Sequence, residues 1–275
     1  MTDKTLNNII KYYSFGYELN RLESSGQGIL ERIRTMSLLT RNLPAAPATV
    51  LDIGGATGAY SFALAEMGYR VHLVDIVPLH VEKALERNAQ AGAKLAGATV
   101  GDGRHLQFDD ACADACLLMG PLYHLTNKPD RIRALAEARR CLKPGGVLFA
   151  AAISKFASLA EVMADPADDL FCEIVKDDLA SGQHRNRGKL EYFTDAYFHH
   201  PAQLEEEVRE AGFEPVVLHA VEGPEWLAPQ LTGNLENEKT RQTILSLIEQ
   251  VETEPSIMGA SAHIMAIARN PEAAS

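Results

Sequence analysis

Apolar positions along residues 5–40 recur mostly at spacings of three and four: Leu6, Ile9, Ile10, Tyr13 and Tyr17, then Ile29, Ile33, Met36 and Leu39. This is the period of a single helix face, and it predicts two helices ahead of any sheet. The stretch NLPAAPAT over 42–49 sets prolines among small residues and reads as a loop. Beyond it the period changes. Short apolar runs, TVLDI, RVHLVDI and ATVGD, alternate with the helix-like stretches YSFALAEMG and HVEKALERNAQAG. Such alternation predicts a βαβαβ unit, hence a parallel sheet with right-handed crossovers. DACLLMG then predicts a fourth strand, PDRIRALAEARRCL a helix, KPGG a turn and VLFAAAIS a fifth strand.

After Ser154 the alternation lapses until about His200. A gap of that length usually serves a function rather than a simple connection. It holds SLAEVMA and LFCEIVKDDLA, which read as helices, then the polar GQHRNRGK and the aromatic FTDAYFHH, and together they predict a cap. The rhythm resumes with a helix at PAQLEEEVREAG, a strand at EPVVLHAVEG, a helix around NEKTRQTILSLIEQVE and a last strand at AHIMAIAR. The chain therefore divides into an N-terminal helical lid (1–46), an α/β core (47–154), a cap insertion (155–200) and a C-terminal completion of the sheet (201–275).

The 275 residues are 46% apolar, enough for one substantial α/β core without metal or disulfide staples. Cys112, Cys116, Cys141 and Cys172 show neither CxxC pairing nor a histidine at zinc spacing, so they read as reduced thiols and no metal site is expected. The formal charge of −11, without a cluster of Lys and Arg, argues against nucleic acid as the main partner. No apolar run is long enough to span a bilayer and the start lacks the order of a signal peptide, so no membrane partner and a cytoplasmic location are expected.

The stretch richest in chemistry is Val50-Leu51-Asp52-Ile53-Gly54-Gly55-Ala56-Thr57-Gly58, an apolar strand running into a glycine-rich turn and then a helix. Glycines let the backbone turn sharply and approach a ligand, and the helix that follows begins with free N–H groups. The second strand ends in Asp75, at the distance from the first strand expected of an acid that grips ribose hydroxyls. The third ends in Gly101-Asp102-Gly103-Arg104, where another acid can accept from an adenine amino group. Dinucleotide binders favour GxGxxG. Counted from Gly54, Ala56 and Ala59 stand in the second and third glycine places.

These residues resemble the class I S-adenosylmethionine (SAM)-dependent methyltransferases, whose first motif is an acid followed by GxGxG; Asp52, Gly54 and Gly58 match, and Ala56 departs at the middle glycine. The resemblance covers residues 47–154 and includes Asp75, Gly101-Asp102 and RALAEARRCLKPGGVLF. It implies a three-layer Rossmann-like sheet, mostly parallel with an antiparallel last strand, and SAM as cofactor with S-adenosylhomocysteine as product. It also implies that Gly54, with Gly55 and Gly58, lies against the methionine part. On the same grounds Asp75 and Ile76 hold the ribose side, Asp102 and Gly103 lie beside adenine, and Met119 is near the sulfonium.

A methyl on a sulfonium is already activated, so alignment supplies much of the rate and a base is needed only for acceptors that must lose a proton. The fourth strand exits at Met119-Gly120-Pro121-Leu122-Tyr123-His124, which makes Tyr123 and His124 candidates for orienting or deprotonating the acceptor; a scaffold role for His124 is the alternative. Tyr197, His199 and His200 at the end of the cap, Tyr13 and Tyr17 in the lid, and Trp226 after the sixth strand are candidates for lining an acceptor pocket or for ordinary packing. The expected function is methyl transfer to an N, O or C atom of a small metabolite. An NAD(P)-dependent oxidoreductase and a non-catalytic SAM-binding module are the alternatives, and an aromatic cap leaves a homodimer open.

Overall fold

The computed structural model describes residues 3–16, 21–164, 166–225 and 231–272; Tyr17 and Trp226 lie outside the described residues. The N-terminal helical stretch forms three helices rather than two: α1 (Asp3–Ser14), the short α2 (Arg21–Ser24) and α3 (Gly26–Asn42). Ser25 makes the break. Its backbone is extended and its side chain accepts from Gly28 N, which starts a new helix there.

The core follows as β1 (Thr49–Ile53), α4 (Ala59–Glu66), β2 (Arg70–Asp75), α5 (Pro78–Gln90), β3 (Gly97–Val100), β4 (Ala113–Leu118), α6 (Pro121–His124), α7 (Lys128–Cys141) and β5 (Leu142–Ile153). Proline opens α5, where its missing N–H costs nothing, and Asn127 caps α7 by accepting from Asp130 N. The KPGG run does not form the separate turn expected of it. It is drawn into β5, because Leu142 pairs with Ala113 and the register slips before Ala115, with Gly145 at φ 76° absorbing the irregularity.

The cap carries α8 (Leu159–Ala164), α9 (Asp169–Ser181), β6 (Gln183–His184) and β7 (Ala196–Tyr197); then come α10 (Pro201–Glu210), β8 (Val216–Ala220), α11 (Leu231–Glu236), α12 (Glu238–Val251), α13 (Pro255–Met258) and β9 (His263–Arg269). The seven-stranded sheet has the order β3-β2-β1-β4-β5-β9-β8, with β9 antiparallel to both of its neighbours and the other pairs parallel. One face packs on α7 and α10 through Leu135, Ala138, Leu204 and Val208; the other packs on α3, α4 and α5 through Leu38, Leu39, Phe62 and Val81. Both faces are covered, which is why residues 115–118 of β4 and 147–153 of β5 read as unbroken apolar runs.

The cap leaves the sheet at the end of β5 and returns to it at the same place, with Lys155 N donating to His199 O and His199 N to Ile153 O. Inside it, His184 Nδ1 contacts both oxygens of the fully buried Asp178 and Nε2 meets Tyr192 O.

Candidate active site

A cleft holding about 1230 Å³ of open space runs along the carboxyl ends of the strands, roofed by α1, α2 and α3. Its floor begins at the turn after β1. Gly54 N and Gly55 N both donate to Val74 O, and Gly54 (φ 79°) and Gly58 (φ 85°) have backbones that L side chains rarely adopt. A Cβ on Gly54 would lie 2.6 Å from Pro121 Cδ, so this glycine lets the first turn nest against the exit of β4. Ala56, at the place where the motif usually has glycine, holds φ 47°. Asp52 lies beneath the turn and accepts from Ser61 Oγ at 2.6 Å; burial, with Asp75 nearby, pushes its carboxyl up to about 6.

Asp75, at the end of β2, ties three segments together. Its Oδ2 accepts from Ala56 N (2.8 Å), and its Oδ1 accepts from Val77 N (2.8 Å) and contacts His80 Nδ1 (3.1 Å). Ile76 packs beside it with Ile9, Tyr13 and Val77. His80 Nε2 is buried, has no hydrogen-bond partner among the described residues, and belongs to a residue lining the cleft. An orphaned imidazole nitrogen next to a carboxylate fits the hydroxyl-rich sugar of a nucleoside, since buried polar atoms normally find partners. Asp102 and Gly103 line the same end, and both oxygens of Asp102 take Arg104, which holds its carboxyl below the usual range against the opposing effect of burial.

Met119, Gly120, Pro121, Tyr123 and His124 line the cleft where β4 ends. Tyr123 Oη reaches Met119 O at 3.4 Å. Both nitrogens of His124 are engaged: Nε2 meets Tyr13 Oη at 2.8 Å and Nδ1 meets Thr194 Oγ1 at 3.2 Å, which in turn donates to Asp195 O. One donor order satisfies every atom: Tyr13 to His124, His124 to Thr194, Thr194 to Asp195. Burial, aided by His80 and opposed by Asp75, pushes His124 down to about 4, in keeping with a neutral ring that accepts from the tyrosine. Phe193, at φ 74°, packs edge-on against Tyr12 and tilted against His124, so lid and cap meet here.

At the other end, beyond β4, the cleft passes Ala151, Met265 and Val221 and reaches Arg21, Glu31, Thr35, Tyr60 and His263. Arg21 forms a two-pronged ion pair with Glu31. His263 Nδ1 contacts Glu222 Oε1 at 2.7 Å and Glu31 Oε2 at 3.8 Å. The sequence reading missed this group entirely, because its members sit on α2, α3, α4, the segment after β8 and the first residue of β9. His80 was also missed, though its place five residues after Asp75 was a usable signal.

Three cap residues expected in the pocket are elsewhere. Tyr197 lies under the guanidinium of Arg131, 3.8 Å from ring centre to Cζ, and His199 is fully buried with Nε2 3.3 Å from Glu207 Oε2. Arg131 and Glu207 form a buried two-pronged ion pair between α7 and α10. His200 is the N-cap of α10, accepting from Ala202 N. These side chains anchor the foot of the cap because β7 points them at α7 and α10 rather than at the strand ends. Tyr13 lines the cleft as expected.

The profile of the methyltransferase domain family matches residues 50–146. The ubiquinone/menaquinone biosynthesis C-methyltransferase UbiE of Acidiphilium cryptum is 31% identical over 179 residues, covering 64% of this chain and 70% of that protein. This chain belongs to the class I, Rossmann-like SAM-dependent methyltransferases. A second relative, the cypemycin N-terminal methyltransferase of a Streptomyces species, is 35% identical over 105 residues, 37% of this chain and 40% of that one. Among solved structures, a SAM-dependent methyltransferase of Methanosarcina mazei shares the fold with a TM-score of 0.58 at 19% identity, over 86% of this chain and 98% of that one. The methyltransferase uses SAM, which supplies a methyl group already activated by its positive sulfur.

Proposed function

We propose that this methyltransferase acts on a small molecule, with the cofactor lying along the strand ends from β3 to β4 and the acceptor beyond it. Asp102 and Gly103 flank adenine, Asp75 with Ile76 and His80 holds the ribose, Asp52, Gly54, Gly55 and Gly58 shape the turn under the methionine part, and Met119 stands near the sulfonium. The observation that carries the reading is the roof: Ile9, Tyr13, Leu22 and Glu31 of the N-terminal helices line the cleft, so an acceptor must fit beneath them. The two relatives are named for different acceptors.

In this reading His124 holds Tyr13 and the cap over the nucleoside end, and Tyr123 packs beside it; neither takes a proton. Asp75→Ala is expected to weaken SAM binding by more than about tenfold, the loss of charge-assisted hydrogen bonds, as read by calorimetry. Incubating the enzyme and methyl-labelled SAM with cell extract is expected to place the label in the low-molecular-weight fraction. Label confined to protein or RNA would overturn the small-molecule assignment.

A further inference from the structure

The cap meets the cleft through residues 192–195, and two side chains in and just after β6 hold that stretch in place. His184 Nε2 lies 2.6 Å from Tyr192 O, Asn186 Nδ2 donates to Phe193 O at 2.9 Å, and Asn186 N donates to Asp195 Oδ1 at 3.2 Å. Within the stretch, the fully buried Thr194 places its hydroxyl 3.2 Å from His124 Nδ1, and Phe193 packs on Tyr12 and His124. Phe193 holds φ 74° and ψ −166°, a backbone strained for an L residue, which persists only where its neighbours impose it. The ring of His184 faces acceptors on both sides. Nδ1 lies 3.1 and 3.0 Å from the two oxygens of the fully buried Asp178, and Nε2 has the Tyr192 carbonyl. A neutral imidazole has a single N–H and cannot donate on both sides, so this geometry fits an imidazolium on a carboxylate. When the ring loses a proton, the N–H that remains stays on the carboxylate, the stronger bond, and the contact that fails is the one to Tyr192.

We propose that His184, charged and seated on Asp178, is a positioning residue for the cofactor: it pins residues 192–195 against His124, and loss of its proton frees them from the nucleoside end of the cleft. The proposal rests on the cofactor placement given above. Neither His184 nor Asp178 is among the residues lining the cleft, so the effect reaches the cofactor through Thr194 and Phe193 to His124, which does line it. The charged groups facing the ring are Asp178 from α9, Glu161 from α8 and Asp195 from the stretch before β7, while Phe198 stacks on it from just after β7. Burial lowers the imidazole, but Asp178, with the Tyr192 carbonyl and Asp195, outweighs it and raises the ring above its ordinary value. The charged ring therefore persists to higher pH than that of a free histidine.

S-adenosylhomocysteine is the probe, with its affinity measured by calorimetry and the His184 titration followed by NMR of ring-labelled histidine. As the pH rises through that titration, affinity is expected to fall about fivefold, the low end of coupling between linked sites. By reciprocity, bound S-adenosylhomocysteine is expected to raise the His184 titration by about 0.7 unit, the logarithm of the same factor. This shift is read on the wild-type protein and needs no variant to fold. Asp178→Asn is expected to abolish the alkaline fall, since an amide N–H donates to Nδ1 of a neutral ring and leaves the Nε2–H on Tyr192 O at every pH. Thr194→Val is expected to abolish it as well while His184 still titrates, because the path to His124 is cut. Other groups that titrate in this range are untouched by either substitution, so the difference from wild type isolates His184. A His184 titration that is the same with and without S-adenosylhomocysteine would overturn the proposal, as would an alkaline fall that survives Asp178→Asn. Unchanged S-adenosylhomocysteine affinity in Asp75→Ala would instead defeat the cofactor placement on which the proposal rests.

Discussion

At the scale of single residues, the turn after β1 shows how one side chain can depart from a motif and leave the geometry intact. Ala56 keeps the left-handed backbone that glycine would adopt freely, and its N–H still reaches Asp75. An L-residue in that region is strained by roughly 1 kcal/mol or more, whereas glycine there costs only chain entropy. Ala56→Gly is therefore expected to change stability by less than about 1 kcal/mol and in the stabilising direction, measured by urea unfolding. A loss of stability of that size would mean the methyl group packs usefully. Gly54 allows no such exchange, because its missing Cβ is the space Pro121 occupies.

At the scale of elements, one contact joins the lid, the cap and the core. Tyr13 comes from α1, His124 from α6 and Thr194 from the cap, so a neutral imidazole between two hydroxyls joins three elements that share no sheet hydrogen bonds. Removing it leaves Tyr13 and Thr194 without that partner and frees Phe193 from one of its ring contacts. His124→Ala is expected to raise amide hydrogen exchange across α1 and the Phe193–Thr194 segment, and to speed S-adenosylhomocysteine release about tenfold. If exchange and release are unchanged and only the methyl-transfer step slows, His124 handles a proton after all. The foot of the cap is built differently, with Arg131 and Glu207 buried as a pair and His199 and Tyr197 packed on them.

At the scale of the whole molecule, the buried ionisable groups set how stability depends on pH. Burial and Glu222 push Glu225 up to about 8, burial pushes Asp52 up to about 6, and the two glutamates hold His263 at about 9. In each case the folded protein keeps a proton that the unfolded chain releases at lower pH, so stability falls as pH rises through these values. Glu207 runs the other way. Against the penalty of burial, Arg131 holds it down to about 2, so its contribution is present above the ordinary carboxylate range and is lost as the pH falls toward 2. His124, pushed down to about 4, adds stability as the pH rises toward its ordinary value of 6.5 and offsets the carboxylate losses there, so the ligand-free enzyme is expected to melt at progressively lower temperatures between about pH 6.5 and 9, followed by calorimetry. A flat or rising midpoint over that window would contradict the buried cluster as described.

The sequence by itself determined what depends on neighbours along the chain. The change of apolar period marked β1 to β5 and the helices between them, and Asp52, Gly54, Gly58 and Asp75 stood at strand ends because a strand leads directly into each turn. Only the tertiary structure decided which distant residues share the cleft. His263, Glu222, Glu31 and Tyr60 come together because β9 inserts antiparallel between β5 and β8 and brings its first residue beside the end of β5, under α3. It likewise took Tyr197 and His199 away from the cleft, since aromatic and polar side chains at the end of a cap look alike in sequence whether they face a ligand or a buried ion pair. Local period fixes the face of an element, and only packing fixes what that face meets.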